Sequence, residues 1–144
     1  MISMKLLFKN GLIALTMGLV FFTYGQSSGE KISTMDFVQI LGDQREETIY
    51  YYENNWKVHR ENALKKGYID SYQLLEVPKG EDLAFEIILI TTYTNLEQYE
   101  QREDNFGTLI EAHGGRRLLN EKQPTQFRNI LFSRDNVRYL FEGD

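Results

Sequence analysis

The spacing of apolar residues changes several times along the chain, and each change marks an element. Residues 36–41 (DFVQIL) are rich in β-formers and stop at Gly42, which predicts a first strand. From Asp43 the period lengthens. Ile49, Tyr52, Trp56 and Ala63 step by three, four and seven, so they share one face of a helix running to about Lys66. Asp43 and Glu46 make an Asp-x-x-Glu capping pattern at its start, and Gly67 supplies a left-handed stop. Glu53/Lys57 and Glu61/Lys65 fall four apart on its flanks, where opposite charges support a helix. Residues 68–77 (YIDSYQLLEV) predict a second strand, halted by Pro78, and residues 85–93 (FEIILITTY) a third. The short polar loop between them predicts an antiparallel hairpin. Asn95, with Gln98 three residues on, opens a second helix with Leu96, Tyr99, Phe106 and Ile110 on its stripe. His113 and Gly114-Gly115 close it.

Beyond that helix the pattern is weaker. Residues 116–126 are polar, contain Pro124 and predict a loop. Residues 127–133 (FRNILFS) suit a strand or a short helix. Val137, Tyr139 and Phe141 alternate, which predicts a final strand over 137–142, and Arg134-Asp135-Asn136 could turn a hairpin before it. The order is β-α-β-β-α-β, an α+β fold of the ferredoxin-like split βαβ type with an antiparallel sheet. Helices cover one face of such a sheet. Here Phe85, Ile87 and Leu89 alternate with Ile88 and Ile90, so both faces are apolar. A second copy of the chain, related by a two-fold axis, is the expected cover, giving a homodimer.

The first 25 residues read differently. Lys5 and Lys9 precede an apolar run over 11–22 (GLIALTMGLVFF), and Thr23 and Gly25 place small residues before a cut at Gln26. Twelve apolar residues are too few to span a bilayer, which takes about 20. The expectation is a signal peptide over 1–25, a flexible N-terminus over 26–34, and one domain over 35–144. The product is then exported, periplasmic or extracellular, with no stable membrane insertion after cleavage.

Composition narrows the chemistry. The chain has no cysteine, which excludes disulfides, thiolate metal sites and thiol catalysis. Nine Tyr, nine Phe and one Trp argue for a packed core rather than disorder. Beyond the leader 14 Lys+Arg face 21 Asp+Glu, so a nucleic-acid partner is not expected. Arg116-Arg117 reads as a solvated turn, and Glu46-Glu47 and the acidic residues from Glu97 to Asp104 as solvated helix faces. No phosphate loop or Gly-x-Ser-x-Gly motif is present. The two histidines lie 54 positions apart without a ligand loop, so neither a metal nor a cofactor is expected.

Trp56-Lys57-Val58-His59 followed by Lys66-Gly67-Tyr68-Ile69-Asp70-Ser71-Tyr72 resembles the W-x-x-H…G-x-I-x-x-aromatic pattern of small exported bacterial proteins of the dimeric α/β-barrel superfamily. The Arg128…Val137-Arg138-Tyr139 tail is similar too. The resemblance implies the fold and the dimer rather than a reaction. Relatives in the superfamily include antibiotic-biosynthesis-type monooxygenases, haem-degrading enzymes and stress-responsive barrel proteins.

Trp56 and His59 fall on the core-facing stripe of the first helix. They suit either a ligand-contacting pair at a pocket edge or a core indole beside a structurally hydrogen-bonded imidazole, the reading favoured here. His113 suits a C-terminal cap; the resemblance to haem-degrading relatives, which use a histidine on the second helix, also offers a haem ligand there, but the chain otherwise lacks a distinctive match to their site. A polar barrel lining would draw on Gln39, Ser71, Tyr72, Gln73, Thr91, Thr92 and Arg138. Trp56, His59, Tyr72 and Arg138 are the candidate ligand-binding residues, and no catalytic residue is assigned. The expected function is binding of a small apolar or aromatic molecule. The alternatives are a cofactor-independent oxygenase and a structural or interaction module whose barrel is filled by side chains.

Overall fold

The computed structural model describes residues 30–80 and 82–140. The leader, the cut at Gln26 and Phe141 lie outside the described residues. Four strands, β1 (Ile32–Ile40), β2 (Ser71–Glu76), β3 (Ile87–Tyr93) and β4 (Arg128–Arg138), form one sheet in the order β2-β3-β1-β4. Every neighbouring pair is antiparallel. Among the described residues there are five α-helical segments: α1 (Arg45–Tyr51), α2 (Lys57–Lys65), α3 (Leu96–Glu100), α4 (Arg102–His113) and α5 (Pro124–Phe127). A π-helical turn over Tyr52–Trp56 joins α1 to α2 without a break.

β1 starts four residues before its expected first residue. Ile32 and Ser33 are buried, so the segment expected to be flexible as far as residue 34 is already part of the sheet. The expected Asp43–Glu46 capping box does not form. Gln44 holds the N-cap position, and no side chain caps the helix. The Asn95 cap does form: its Oδ1 accepts from the Gln98 N–H at 2.9 Å, while Gln98 Oε1 accepts from the Thr94 N–H at 2.8 Å. The C-terminal hairpin does not form. β4 is one long strand that absorbs an extra residue at each of two register shifts against β1, and Asn136 takes a left-handed φ of 54° at the second.

Side-chain alternation separates the two sheet faces. Val38, Ile87 and Leu89 pack under Tyr52 and Trp56 of the helical layer. Ala63, Ile69, Tyr93, Phe106 and Leu109 form a second cluster. On the second long helix the buried residue is Leu109 rather than the expected Ile110, which is 54 % exposed, and Leu96 is also exposed. The break at Gln101 between α3 and α4 shifts the phase of the stripe, which a single helical period misses. On the other sheet face Phe37 pairs with Ile88 on one side and with Phe132 on the other. The Phe37 ring lies 4.4 Å from that of Phe132 and 5.0 Å from that of Phe85. Phe85 therefore belongs with this face and not with Ile87, because β3 begins only at Ile87.

Glu47, expected on a solvated face, is buried instead. Its Oε1 accepts from Lys122 Nζ at 2.6 Å and from Asn120 Nδ2 at 3.0 Å. The Lys122 hydrogen bond, then the Asn120 bond, holds its carboxyl down from 4.5 to about 2. The folded value lies below the unfolded one. The stabilisation is therefore complete above about pH 4.5 and is lost as pH falls toward 2. Glu47→Gln is expected to flatten this part of an acid-denaturation profile. Identical profiles for the variant and the wild type would show that Glu47 is not linked to folding.

Candidate functional site

A cavity of about 420 Å³ opens between the helical layer and the sheet. One wall comes from the π-helical turn and the start of α2, which present Tyr52, Asn55, Trp56, His59 and Arg60. A regular α-helix would spread these residues differently around its axis. One wide turn rotates the residues after it, and such turns recur at functional sites. The sheet contributes Asp36, Leu89 and Arg128, and α4 contributes Ile110 and His113.

Local contacts fix each wall. Thr48 Oγ1 donates to the Phe127 carbonyl at 3.0 Å, and the Leu41 N–H donates to the same oxygen at 2.9 Å. These bonds pin α5 beneath α1. Arg128, the next residue, then lies with its guanidinium carbon 5.2 Å from the Tyr51 ring centre and 5.5 Å from that of Tyr52. Asn55 closes another side. Its Nδ2 donates to the Arg117 carbonyl at 2.8 Å, and its Oδ1 accepts from the Arg117 N–H at 2.7 Å. This double bond to one peptide strand holds the segment after α4 over the cavity. The sharp exit needed to reach it comes from Gly114 and Gly115, at φ 74° and 112°, where other residues are strained. Arg116, expected on a solvated turn, is exposed and also lines the cavity mouth.

Arg60 is sandwiched. Its guanidinium carbon lies 4.6 Å from the Trp56 ring centre and 4.1 Å from that of Phe106, and its Nε donates to Thr91 Oγ1 at 3.2 Å. Burial lowers its pKa from 12.5 to about 10, so it stays charged at neutral pH. The two histidines, 54 positions apart, meet edge to face with ring centres 4.8 Å apart. Burial lowers the pKa of His59, and the neighbouring His113 and Arg60 lower it further. Burial also pushes the Tyr52 phenol well up.

Four buried side-chain polar atoms among the described residues have no hydrogen-bond partner: Tyr52 OH, His59 Nε2, His113 Nε2 and Arg128 Nε. All four belong to residues lining this cavity. Buried polar groups are nearly always paired, and each exception needs a reason. The four exceptions cluster among residues of one cavity wall. Among the described residues no three His, Asp, Glu or Cys side chains come together as a metal site would require.

The sequence candidates divide. Trp56 and His59 line the cavity. Tyr72 stands behind Trp56, ring edge to ring face at 5.8 Å, and packs in the core. Arg138 lies at the far end of β4, where it binds Glu30 at 2.5 Å, away from the cavity. His59 was expected to make a structural hydrogen bond, and its Nε2 makes none. The cavity residues that the sequence did not mark as site residues are Asp36, Asn55 and Arg60, together with Tyr52, read as core, Arg128, read only as part of the tail resemblance, and His113, read as a cap. Trp56 and Arg60 are four apart on a helix, a spacing that places a guanidinium beside an indole, so Arg60 had a readable signal. Asn55 had none, because its place depends on the π turn, and the tail resemblance that named Arg128 did not place it at the cavity, because that place depends on the docking of α5.

No protein-family model matches this sequence, and no curated protein does. Among solved structures the fold is similar to HapK from Hahella chejuensis, with a TM-score of 0.50 and 5 % identity, covering 78 % of this chain and 97 % of that one. SnoaB from Streptomyces nogalater, a cofactor-independent oxygenase, aligns over 66 % of this chain and 96 % of its own with 10 % identity, but at a TM-score of 0.30 that alignment carries no weight. The likeness to HapK is one of fold alone, α+β with an antiparallel sheet, and it fits the four-stranded sheet described above.

Proposed function

We propose that this protein binds a small aromatic molecule in the cavity between its helices and its sheet. One observation carries the reading: every unpartnered buried side-chain polar atom among the described residues belongs to a residue that lines a single 420 Å³ cavity. That volume falls in the range of small-molecule sites, which combine apolar and aromatic walls with a few placed polar groups. Tyr51, Tyr52 and Trp56 supply the aromatic walls. Trp56 is the single tryptophan in the chain, so its fluorescence reports on the cavity alone. Titration with two-ring aromatic compounds is expected to change that emission saturably, and Ile110→Phe, which adds bulk at an exposed wall position, is expected to weaken the response. An emission that no compound alters would reject the site.

A second reading, an oxygenase needing no cofactor, is favoured by His59, partly buried at the cavity wall with its Nε2 unpaired. A neutral imidazole is a base, and here it could take a proton from a phenolic ligand. Oxygen uptake with phenols that bind would support it, and binding without uptake would leave a carrier or sensor.

A second copy of the chain is the proposed partner, seated on the open sheet face. Phe37, Phe85, Ile88, Ile90 and Phe132 lie there, with Leu75 41 % and Phe132 38 % exposed. A contiguous apolar face of this kind is rarely left to water, and a two-fold axis makes it complementary to itself.

A further inference from the structure

The unpartnered atoms also say what kind of molecule the cavity takes. Arg128 Nε can only donate a hydrogen bond, and the His59 and His113 rings each carry at least one N–H. Tyr52 OH donates as readily as it accepts. Arg128 Nε is the one member of the set that can only donate, so it calls for an acceptor on the ligand, and the two imidazole Nε2 atoms and the phenol can serve that acceptor with an N–H or O–H. Charge points the same way. The cavity is lined by Arg60, Arg116 and Arg128 against one carboxylate, Asp36. Asp36 is partly engaged already, since its Oδ1 accepts from Ser133 Oγ at 2.5 Å. Arg60 is committed to its two rings and to Thr91, which leaves Arg128 as the cation whose Nε is buried and unpaired. The whole chain is net negative, with 21 acidic against 16 basic residues, so this basic lining runs against the overall composition.

We infer that the cavity takes its aromatic ligand as an oxyanion, its carboxylate held by Arg128 and the His59–His113 pair and its rings set against Tyr51, Tyr52 and Trp56. This rests on the cavity being a binding site for aromatic molecules and adds the ligand's charge. A guanidinium and two imidazoles around one carboxylate satisfy several donors at once, and bonds between ionised partners are about twice as strong as neutral ones.

The test compares three probes of nearly the same shape by calorimetry on the intact folded protein: 1-naphthylacetate, 1-naphthylacetamide and 1-naphthylmethylamine. The acid is expected to bind about tenfold or more tightly than the amide, as one charge-assisted hydrogen bond implies, and the amine not measurably. In Arg128→Gln the acid is expected to lose that advantage while the amide keeps its affinity. If Arg128→Gln does not fold, the wild-type comparison of acid with amide decides alone. Equal or tighter binding of the amide or the amine would overturn the oxyanion assignment and leave the aromatic site standing. If no probe binds and Trp56 emission does not respond, both fall together.

Discussion

Ile87→Asp is expected to unfold the protein, while Ile88→Asp, one residue on, is expected to leave it folded but monomeric. The two side chains differ only in the face they take. Ile87 is fully buried, paired with Val38, and packed under Tyr52 and Trp56. A carboxylate there has no partner, and an uncompensated buried charge costs about 3–5 kcal/mol. That approaches the net stability of a small domain, about 5–15 kcal/mol. The cavity left by the lost isoleucine adds to the loss. Ile88 pairs with Phe37 on the face the helices leave open and is only partly buried. A charge there can reach water in the lone chain and is trapped only when a second sheet covers it. Circular dichroism is expected to show a folded Ile88→Asp and an unfolded Ile87→Asp. Sedimentation velocity at micromolar concentration is expected to show a dimer for the wild type and a monomer for Ile88→Asp. A wild-type protein that is a stable monomer would remove the second copy from the proposal without touching the cavity.

Trp56→Ala is expected to lower stability by about 3–5 kcal/mol, the range for large aromatic truncations in a core. Three contacts go with the indole. It joins the core cluster with Val38, Ile87 and Leu89, it meets the Tyr72 ring at 5.8 Å, and it forms one face of the Arg60 sandwich. Arg60 would keep Phe106 and Thr91 but lose half of its ring enclosure. Leu89 would lose its cover, and the 420 Å³ cavity would extend into the core. Chemical denaturation followed by circular dichroism measures the shift. A midpoint near the wild-type value would mean that Trp56 serves the ligand alone.

Long periodic elements were legible in the sequence and local exceptions to them were not. β3 was readable because four consecutive large apolar residues, Ile87 to Ile90, allow little else, although its face assignment failed at Phe85, which precedes the regular pleat. The first helix was readable from Ile49, Tyr52, Trp56 and Ala63, since the π turn begins at Tyr52 and ends at Trp56 and both of these stay buried. The turn itself left no trace in the pattern, yet it places Asn55, His59 and Arg60 around the cavity. β4 was split in two because Arg134-Asp135-Asn136 has turn chemistry. Pairing with β1 on both sides of the bulge outweighed that preference. His59 was found because it follows Trp56 on the same face. Its partner His113 was missed as a partner because chain separation was taken as spatial separation, whereas α2 and α4 lie side by side over the sheet.

The most direct measurement is a crystal structure of the protein grown with 1-naphthylacetate. The expected result is probe density in the cavity walled by Trp56 and the His59–His113 pair, with its carboxylate within hydrogen-bond distance of Arg128. Probe density only on the Phe37–Phe132 face of the sheet, or a cavity closed by its own side chains, would contradict it.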